Sequence, residues 1–445
     1  MSKIKNIQAR YILDSRGNPT VEADVILANG LKGRASVPSG ASTGDKEALE
    51  LRDKLSEWHG KGVQAAINNI ETYIQPALIG CEIEDINQID SIMLDVDGTD
   101  NKSKLGANAM LAVSLASVQA HANYVNCELY EIIYKHYTAN PSKNKYSMPI
   151  PMMNILNGGS HADNTVDIQE FMIMPVNFSN YRDALRAGTE IFHSLKSILK
   201  QRKYSTAIGD EGGFAPNLQS NEEALECILE AIHNTDYISG KDIFLALDVA
   251  ASEFYNLKEG TYFLESDNAK LEAKELIQYY SNLCNDYPIL SIEDGLDQND
   301  WDSWNILNQE IGITTQIVGD DLTVTNPKLL QKAINQSSMN AILIKLNQIG
   351  TFTETLQTIK LAQNHGFGTI ISHRSGETEN TFIADLAVAT NSGQIKTGSL
   401  CRTDRTAKYN RLLRIEEHYN QSSNRSRSKL QYANINYLGC QKNVK

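Results

Sequence analysis

The amino-acid sequence predicts an α/β protein in which an N-terminal α+β domain is followed by a barrel of alternating strands and helices. Three observations lead to this prediction. A hairpin signal joins two strand patterns near the start of the chain, and helical patterns follow it. From position 243 onward, short apolar runs recur with helical patterns between them. Each of these runs finishes in a charged or polar residue.

The N-terminal prediction rests on strands and helices that follow in succession. Residues 21–28 and 31–37 have strand patterns and flank Asn29-Gly30, a pair favoured in two-residue hairpin turns. Helical patterns then extend over about 46–135. Strands followed by helices, without regular alternation, indicate an α+β domain.

The length of the chain and one connecting stretch predict how it divides. At 445 residues the chain exceeds the usual size of a single hydrophobic core, so two domains are expected. Residues 138–151 contain three prolines with several Lys and Asn, which is typical of a connection. We therefore predict an N-terminal α+β capping domain at 1–138, a catalytic barrel at 139–419 and a polar, basic tail at 420–445.

Six apolar runs lead to the barrel prediction. After the first interval, their ends follow one another every 23–28 residues, which indicates βα units and a parallel sheet. A barrel is favoured over an open sheet because no glycine-rich phosphate fingerprint follows the first strand. The polar residue closing each run then lies at the C-terminal rim, where barrel enzymes carry their catalytic groups. The runs are 243–248, 289–293, 316–320, 341–345, 369–373 and 395–396.

The composition limits the classes of function. Asp and Glu number 54 against 41 Lys and Arg, which gives a net charge of −13 and a pI near 5.2. This balance argues against direct, non-specific nucleic-acid binding and suits a protein that handles small molecules. The six cysteines are scattered without a CxxC pair, so we expect a reducing cytoplasm rather than a disulfide framework or zinc site. The first residues lack the apolar core of a signal peptide.

One uncharged segment could be mistaken for a membrane span. Residues 105–127 contain no Asp, Glu, Lys or Arg, but they are rich in Ala, Ser and Asn and include Gln119 and His121. Because no stretch of 18 residues there is predominantly apolar, we predict a buried helix and no membrane span.

Three carboxylates close three successive runs: Asp248, Glu293 and Asp320. If the runs are neighbouring strands, these acids converge at one rim, where they repel one another strongly unless a cation lies between them. Oxygen ligands without Cys or His indicate a hard cation, and Mg²⁺ is the usual one at phosphate-handling sites. For each acid alone, a solvated or capping residue after a strand is the alternative.

Two lysines close later runs. Lys345 ends an apolar run, where a lysine is costly unless it is paired or used. Bound cations nearby are expected to lower the pKa of its ammonium group, which makes it a candidate general base. Lys396 ends the last run and is a candidate anion clamp. For either residue, the alternative is a lysine whose stem lies along apolar surface with its head in water.

Further candidates lie at one strand end and in glycine-rich loops. The sequence SHRSG at 372–376 offers a guanidinium, hydroxyls and an imidazole, which are common phosphate partners. Glycine-rich loops occur at 39–44 and 157–161, and each could equally be an ordinary turn. The loop at 209–213 places a carboxylate between glycines, where backbone can approach a ligand closely. Gln169-Glu170 is interpreted as closing a run that begins at Asp167.

Nine motifs follow one another along the chain: SGASTG, NGGSHADN, DIQEFM, GDEGGFAPN, SIEDG, GDDLTVTNP, LIKLNQIGT, ISHRSGETE and QIKTGS. They stand in the order seen in enolases, and the sequence resembles that family up to about Tyr419. SIEDG at 291–295 and AASEFY at 250–255 resemble bacterial members. The resemblance implies a (β/α)8 TIM-like barrel of the enolase superfamily behind an N-terminal α+β domain.

The resemblance implies two Mg²⁺ per active site. Asp248, Glu293 and Asp320 would hold the first ion. The second would arrive with the substrate and join through Ser42 and the substrate phosphate. This implied set agrees with the hard-cation site expected from the carboxylates themselves.

The resemblance also implies the glycolytic reaction of enolases, the reversible dehydration of 2-phospho-D-glycerate to phosphoenolpyruvate by a hydro-lyase. Lys345 would remove the C2 proton. Glu211, helped by Glu170, would protonate the departing C3 hydroxyl, and His373 would lie near C3. The implied substrate-binding residues are His161, Gln169, Glu170, Glu293, Asp320, Lys345, His373, Arg374, Ser375 and Lys396.

Assembly and location are further implications of the resemblance. Relatives form homo-oligomers, at least dimers and in some bacteria octamers, and Glu22 and Arg414 match positions that pair across the dimer interface. A cytoplasmic location is expected, with a secondary cell-surface or secreted presence. Bacterial enolases also join RNA-degrading assemblies, and terminal Lys445 is of the kind that lysine-binding domains recognise.

Two alternatives to a glycolytic enolase were weighed. Another superfamily member, such as a sugar-acid dehydratase or a cycloisomerase, shares the carboxylate triad but not the SGASTG, GDEGG and HRSGE motifs together. A binding role is of a different class, and with every catalytic position intact it is expected beside catalysis rather than in its place. Turnover of 2-phosphoglycerate discriminates among all three.

Overall fold

The computed structural model describes residues 2–41, 44–138, 146–161, 164, 166–266, 268–422 and 430–440. Within these residues the strands form an N-terminal antiparallel sheet, a closed barrel and two small sheets. The strands are β1 Ile4–Leu13, β2 Pro19–Leu27, β3 Lys32–Ser36, β4 Ser147–Met148, β5 Ile150–Asn157, β6 Glu170–Pro175, β7 Ile243–Asp248, β8 Tyr255–Asn256, β9 Thr261–Leu264, β10 Ala269–Leu271, β11 Ile289–Glu293, β12 Gln316–Gly319, β13 Ala341–Ile344, β14 Gly368–Ser372, β15 Gly393–Lys396 and β16 Gln431–Tyr432.

Helices complete the N-terminal part and then surround the barrel. Their apolar faces pack on the sheets, which is the usual way in which a helix buries its hydrophobic stripe. The helices are α1 Gln64–Asn69, α2 Gln75–Leu78, α3 Ile86–Asp97, α4 Ala107–Val125, α5 Leu129–Tyr137, α6 Tyr181–Gln201, α7 Asn221–His233, α8 Ala273–Asp286, α9 Trp301–Ile311, α10 Pro327–Gln336, α11 Leu346–Ile349, α12 Phe352–Asn364, α13 Phe382–Ala389 and α14 Thr403–Ser422.

The N-terminal sheet has the order β1-β2-β3, and the predicted hairpin joins β2 to β3. Gly30 has a φ of 88°, a conformation that glycine adopts without strain, and the Asn29 side chain accepts a hydrogen bond from the Leu31 N–H at 3.0 Å. Helix α4 packs on the sheet so closely that a Cβ at position 33 would lie 2.1 Å from the Ala120 nitrogen. The contact therefore requires Gly33.

Two predictions about the N-terminal helices have different outcomes. Helix α4 covers most of 105–127 and is buried along nearly its whole length, so the buried helix is confirmed. No helix in the described part of the chain is long and apolar enough to cross a membrane. The prediction of helix from position 46 was wrong for 46–56. There the backbone bonds to distant segments instead, as when the Ala48 N–H donates to the Gln348 carbonyl at 2.8 Å.

The predicted barrel is confirmed as a closed ring of eight strands in the order β5-β6-β7-β11-β12-β13-β14-β15. All six apolar runs supply barrel strands; β7 and β11 have the predicted ends, and the ends of the other four differ by one or two residues. One strand departs from a strict βα repeat, because β6 runs antiparallel to both β5 and β7. The two strands follow each other directly, and a strand that returns without a crossover connection pairs antiparallel.

The reversal of β6 decides which of its ends reaches the rim. Glu170 is the first residue of β6 and lies opposite Asp248, the last residue of β7. The interpretation that Gln169-Glu170 closes a run was therefore wrong, since Glu170 opens a strand. It reaches the C-terminal rim of the parallel strands because its own strand runs the other way.

Residues 430–440 pack against the opposite end of the barrel. Strand β16 pairs with β4, and Ala433 and Leu438 are buried in a cluster with side chains from inside the barrel. The Gln316 side chain donates to the Leu438 carbonyl at 2.7 Å. This part of the predicted tail therefore covers the barrel floor. The terminal Lys445, named above for lysine-binding partners, lies outside the described residues.

Candidate active site

The candidate active site is a cavity at the rim formed by the C-terminal ends of the parallel barrel strands. It brings together most of the site residues predicted from the sequence. Glu293 adjoins it through Lys396, whereas Ser42 lies outside the described residues. The cavity is lined by His161, Gln169, Glu170, Glu211, Asp248, Ala250, Asp294, Asp320, Asp321, Lys345, Ser372, His373, Arg374, Ser375 and Lys396.

Lys396 joins three of the acids at the rim. Its buried ammonium donates to Asp248 Oδ2 at 2.6 Å and to both oxygens of Glu293 at 3.0 Å, and it lies 3.3 Å from Glu170 Oε1. Burial alone lowers the pKa of Lys396, but the surrounding carboxylates outweigh it and hold the pKa well above its ordinary value. Burial, reinforced by Asp248, raises the pKa of Glu293. One cation thus compensates three buried acids.

Lys345 and Asp320 form the second charged group. The Lys345 ammonium donates to Asp320 Oδ2, and the Gln348 side chain donates to Asp320 Oδ1 at 2.8 Å. Burial lowers the pKa of Lys345, but Asp320 more than offsets it, so the protein groups by themselves raise this pKa. The lowered pKa expected for a general base therefore requires positive charge beyond that of the protein groups facing Lys345.

A second set of carboxyls faces histidines across the cavity. The Asn154 side chain donates to Glu170 Oε2 at 3.0 Å and to Glu211 Oε2 at 3.1 Å. Burial raises the pKa of Glu170, and Glu211 adds to the effect. Burial acts in the same direction on Glu211, but His373 and His161, when their rings carry positive charge, outweigh it and hold its pKa well below the ordinary range. Neighbouring carboxyls with opposite shifts are typical of acid–base sites.

The loop that carries Glu211 is held tightly against β5. A Cβ at position 213 would lie 2.4 Å from Asn157 Oδ1, so only glycine fits there. The Ser399 N–H donates to the Glu211 carbonyl at 2.9 Å. These contacts hold the backbone at Glu211 and in the residues that follow it.

Two groups of possible metal ligands have oxygen or nitrogen atoms that all lie within 4.8 Å of one another among the described residues. One is Asp294 with Asp320 and Asp321. The predicted set of Asp248, Glu293 and Asp320 is not such a group in this structure, and lysine ammonium groups contact each of these acids. The donors are nevertheless buried carboxylate oxygens in excess of the cations that face them, and this chemistry fits a hard cation.

Arg374 and its neighbours form the opposite wall. The guanidinium donates to the carboxylate of Glu47 at 3.0 and 3.2 Å and to the Asn347 side chain at 3.1 Å. Glu47 belongs to the N-terminal part of the chain. The backbones of Ser39 and Gly376 also exchange two hydrogen bonds of 2.8 Å. The N-terminal segment therefore completes the site around Arg374.

The sequence interpretation missed several residues of the site. Asn154 could have been noticed as a polar residue within the apolar run of β5. Asp294 and Asp321 directly follow predicted ligands, and the Asp294 carboxylate accepts hydrogen bonds from the Asp320 and Asp321 N–H groups at 2.9 and 3.0 Å. Glu47 gave no local signal, since its role depends on a contact between distant parts of the chain.

The fold and the site define a class of protein, a barrel enzyme whose rim gathers buried acids, two lysines and an arginine around a cavity suited to a small anionic substrate. Comparisons with known proteins narrow this class. The family model described as the enolase N-terminal domain matches residues 4–133, and the one described as the enolase C-terminal TIM barrel domain matches 145–433.

Relatives agree with the family models over nearly the whole chain. The enolases of Legionella pneumophila strains Corby, Lens and Paris are each 59% identical over 415 residues, which cover 93% of this chain and 96% of the relative. The chain therefore belongs to the enolase family, the lyases known as phosphopyruvate hydratases.

Proposed function

We propose that this enolase carries out the reversible, Mg²⁺-dependent dehydration of 2-phospho-D-glycerate to phosphoenolpyruvate, with Lys345 as the base at C2 and Glu211 as the general acid at the C3 hydroxyl. The observation that supports this assignment is that both side chains line the same cavity, although they come from elements far apart in the chain. Elimination needs a base and an acid at neighbouring carbons, and the cavity offers one of each.

The acids at the rim would hold the metal. Asp248, Glu293 and Asp320 are proposed as ligands of the first Mg²⁺, and Ser42 as a ligand of the second. When bound, Mg²⁺ supplies positive charge that stabilises the negative charge developing on the substrate carboxylate. The same positive charge counters the carboxylates that raise the pKa of Lys345. Buried carboxylates in excess of the facing cations support this proposal.

The remaining side chains would bind and orient the substrate. Lys396 is proposed to pair with the substrate carboxylate. Arg374 and Ser375 are proposed to bind the phosphate, since a guanidinium fork suits phosphate oxygens. Glu170 would assist Glu211, to which it is linked by the shared donor Asn154.

The remaining substrate-binding proposals concern His161, Gln169 and His373, which line the cavity beside Glu170 and Glu211. His161 Nδ1 lies 3.7 Å from Glu170 Oε1 and 4.0 Å from Glu211 Oε1. These side chains are proposed to surround C3 and its hydroxyl, where they limit the entry of water. The burial of all three side chains supports that role.

Turnover and metal dependence are tested together. Formation of phosphoenolpyruvate from 2-phosphoglycerate, followed by absorbance, should be abolished by a chelator and restored by Mg²⁺. Full activity in excess chelator would contradict the metal proposal. Absence of turnover with Mg²⁺ present would contradict the reaction itself.

The assignment of Lys345 as the base and Glu211 as the acid is tested by hydrogen exchange at C2 in deuterated solvent. Glu211→Gln should block dehydration but keep exchange, because the C2 proton still leaves and returns. In Lys345→Ala, the rates of dehydration and of C2 exchange should each fall by about 10²–10⁴-fold. Matched controls are Glu222→Gln and Lys332→Ala, outside the cavity. Exchange at the wild-type rate in Lys345→Ala would show that another group is the base.

We propose a cytoplasmic homo-oligomer, at least a dimer, with an N-terminal domain at 1–138, a barrel at 139–419 and a tail at 420–445. The antiparallel sheet and the closed barrel support the division between the first two. Limited proteolysis followed by mass spectrometry tests it, since cleavage within 139–145 should release two folded pieces.

A further inference from the structure

Arg405 lies beneath the active site and contacts the two segments that carry His373 and Glu211. The residue is fully buried near the start of α14. One terminal nitrogen donates to His373 Nδ1 and to the Arg374 carbonyl at 2.6 Å. The other donates to the Ser375 carbonyl at 2.6 Å and to the Asp210 carbonyl at 3.3 Å. A single guanidinium therefore joins the end of β14 to the Glu211 loop.

The contact with His373 determines where the imidazole proton lies. A guanidinium keeps all its protons and has no acceptor, so its N–H must point at a lone pair on His373 Nδ1. In the neutral ring the single proton is then on Nε2. A second proton, on Nδ1, would bring two donors face to face. The geometry therefore opposes both the Nδ1–H tautomer and the imidazolium ion.

The other ring nitrogen faces the proposed acid. His373 Nε2 is buried and lies 3.2 Å from Glu211 Oε2, within reach of a hydrogen bond that the two side chains do not complete in this structure. The charged groups around the ring are Glu211, Arg405 and Glu377. Burial lowers the pKa of His373 to about 4, with Arg405 acting in the same direction against the two carboxylates. The surroundings of the ring thus agree with a neutral imidazole at physiological pH.

We propose that Arg405 is a positioning residue that locks His373 as the neutral Nε2–H tautomer, so that the Nε2–H faces Glu211 as a hydrogen-bond donor and His373 does not itself transfer a proton to the substrate. The inference rests on the proposed role of Glu211 as the acid at C3. It assigns the proton of the leaving hydroxyl to Glu211 alone and gives His373 the task of orienting it.

The neutrality of His373 has a consequence for Glu211. A general acid must carry a proton when the substrate is bound. A charged His373 would be the strongest influence lowering the pKa of Glu211, whereas a neutral imidazole exerts no such charge. By excluding the imidazolium, Arg405 lets Glu211 hold its proton more easily.

The test is nitrogen-15 NMR of the full-length enzyme labelled at histidine, because imidazole nitrogen shifts distinguish the two tautomers and the cation. The chain has nine histidines, and the His373 signals are assigned by their loss in His373→Gln. In the wild type, His373 should be the Nε2–H tautomer and should not titrate between pH 8 and about 5.5. Detection of the Nδ1–H tautomer or of the cation in that interval would overturn the proposal without any variant.

Variants at position 405 separate this role from simple tethering of the loops. Arg405→Met should let His373 titrate near its ordinary pKa of about 6.5 and should add an ionisation near that pH to the kcat profile. Arg405→Lys, which keeps a cationic donor, should restore the wild-type behaviour. Arg402→Met is the matched control, since Arg402 donates to the Gly209 and Ser15 carbonyls but does not contact His373.

The outcomes of these tests show separately whether this proposal fails and whether the proposed function fails. If His373 in a folded Arg405→Met keeps the wild-type tautomer and does not titrate, Arg405 is a tether only and the proposal is wrong. The NMR measurement requires no turnover. A Glu211→Gln enzyme that still dehydrates its substrate would refute the role of Glu211 while leaving the His373 tautomer as found.

Discussion

The molecule contains two networks of acids and cations that differ in burial. The N-terminal sheet network lies on β1–β3 and comprises Arg10, Glu22, Asp24, Lys32 and Arg34. The rim network lies at the barrel mouth and comprises Glu170, Asp248, Glu293 and Lys396. Cations outnumber acids in the first network and acids outnumber the cation in the second.

The two networks shift carboxyl pKa values in opposite directions. In the N-terminal sheet network, burial would raise the pKa of Asp24, but hydrogen bonds from Arg34 and Arg10 outweigh it and hold it well below its ordinary range. The Arg34 side chain there is 50% exposed. In the rim network, the Glu293 side chain is 1% exposed, and burial raises its pKa despite Lys396. Compensated charges near solvent stabilise the fold modestly, whereas uncompensated buried acids form a site that gains from a bound cation.

The largest effect is expected from removing the cation of the rim network. Lys396→Met leaves Asp248, Glu293 and Glu170 buried without their shared partner, and it removes a proposed contact with the substrate carboxylate. We expect kcat/KM to fall by about 10²–10³-fold or more and the unfolding midpoint in urea to drop. Arg34→Met in the N-terminal sheet network is the control and should change kcat/KM by less than about twofold. Comparable losses in the two variants would remove the distinction between the networks.

The next largest effect concerns metal affinity. Asp320→Asn removes one negative charge from the rim while keeping the shape of the side chain, so the barrel should stay folded. We expect the Mg²⁺ concentration for half-maximal activity to rise by about tenfold or more, because a full charge is lost close to the ion. Circular dichroism checks the fold. Asp242→Asn, at the other end of a barrel strand, is the matched control. An unchanged Mg²⁺ requirement in Asp320→Asn would exclude Asp320 as a metal ligand.

A third prediction tests whether burial alone raises a carboxyl pKa. Asp90 is fully buried on α3, accepts a hydrogen bond from the Thr353 N–H at 2.9 Å and lies outside both networks. Burial raises its pKa to about 6 from the ordinary 3.8. Since the folded state binds the proton more tightly than the unfolded state, stability should rise as pH falls through 6 toward 4.

The measurement for Asp90 is a comparison of unfolding free energies. Between pH 8 and pH 5, the wild type should gain about 1 kcal/mol relative to Asp90→Asn, which has no such proton to bind. Asp95→Asn, on the same helix, is the control and should track the wild type within error. A difference between wild type and Asp90→Asn that does not vary with pH would mean that Asp90 has an ordinary pKa.

The smallest effect on stability is expected in the N-terminal sheet network. Glu22 accepts a hydrogen bond from Arg10 at 2.6 Å, but the Arg10 side chain is 35% exposed, so Glu22→Leu should cost about 1 kcal/mol or less within one chain. Its larger expected effect is on assembly, since the enolase resemblance implies that Glu22 meets Arg414 of a second copy. Sedimentation should show a shift toward monomer at high dilution. Glu82→Leu, which removes an exposed partner of Lys3, is the control. Equal behaviour of the two variants would argue against this contact.

Local sequence patterns predicted much of the fold and of the site. The apolar runs correspond to barrel strands, and their closing residues Asp248, Lys345 and Lys396 lie at one rim, because consecutive residues encode the period of a strand and the point where it ends. The family motifs then implied which of these residues share the chemistry. Helix at 46–56 was predicted wrongly, since backbone groups there bond to segments distant in sequence.

The sequence by itself determined six of the barrel strands, the hairpin, the buried α4 and the acids and lysines available to the site. The tertiary structure alone decided the antiparallel course of β6, the insertion of Lys396 among three acids and the contacts of Glu47 with Arg374 and of Arg405 with His373. The physical reason is the separation along the chain over which each kind of interaction acts. Periodicity and turn chemistry act between neighbouring residues, whereas these contacts join segments that meet only when the barrel closes and the N-terminal part docks on it.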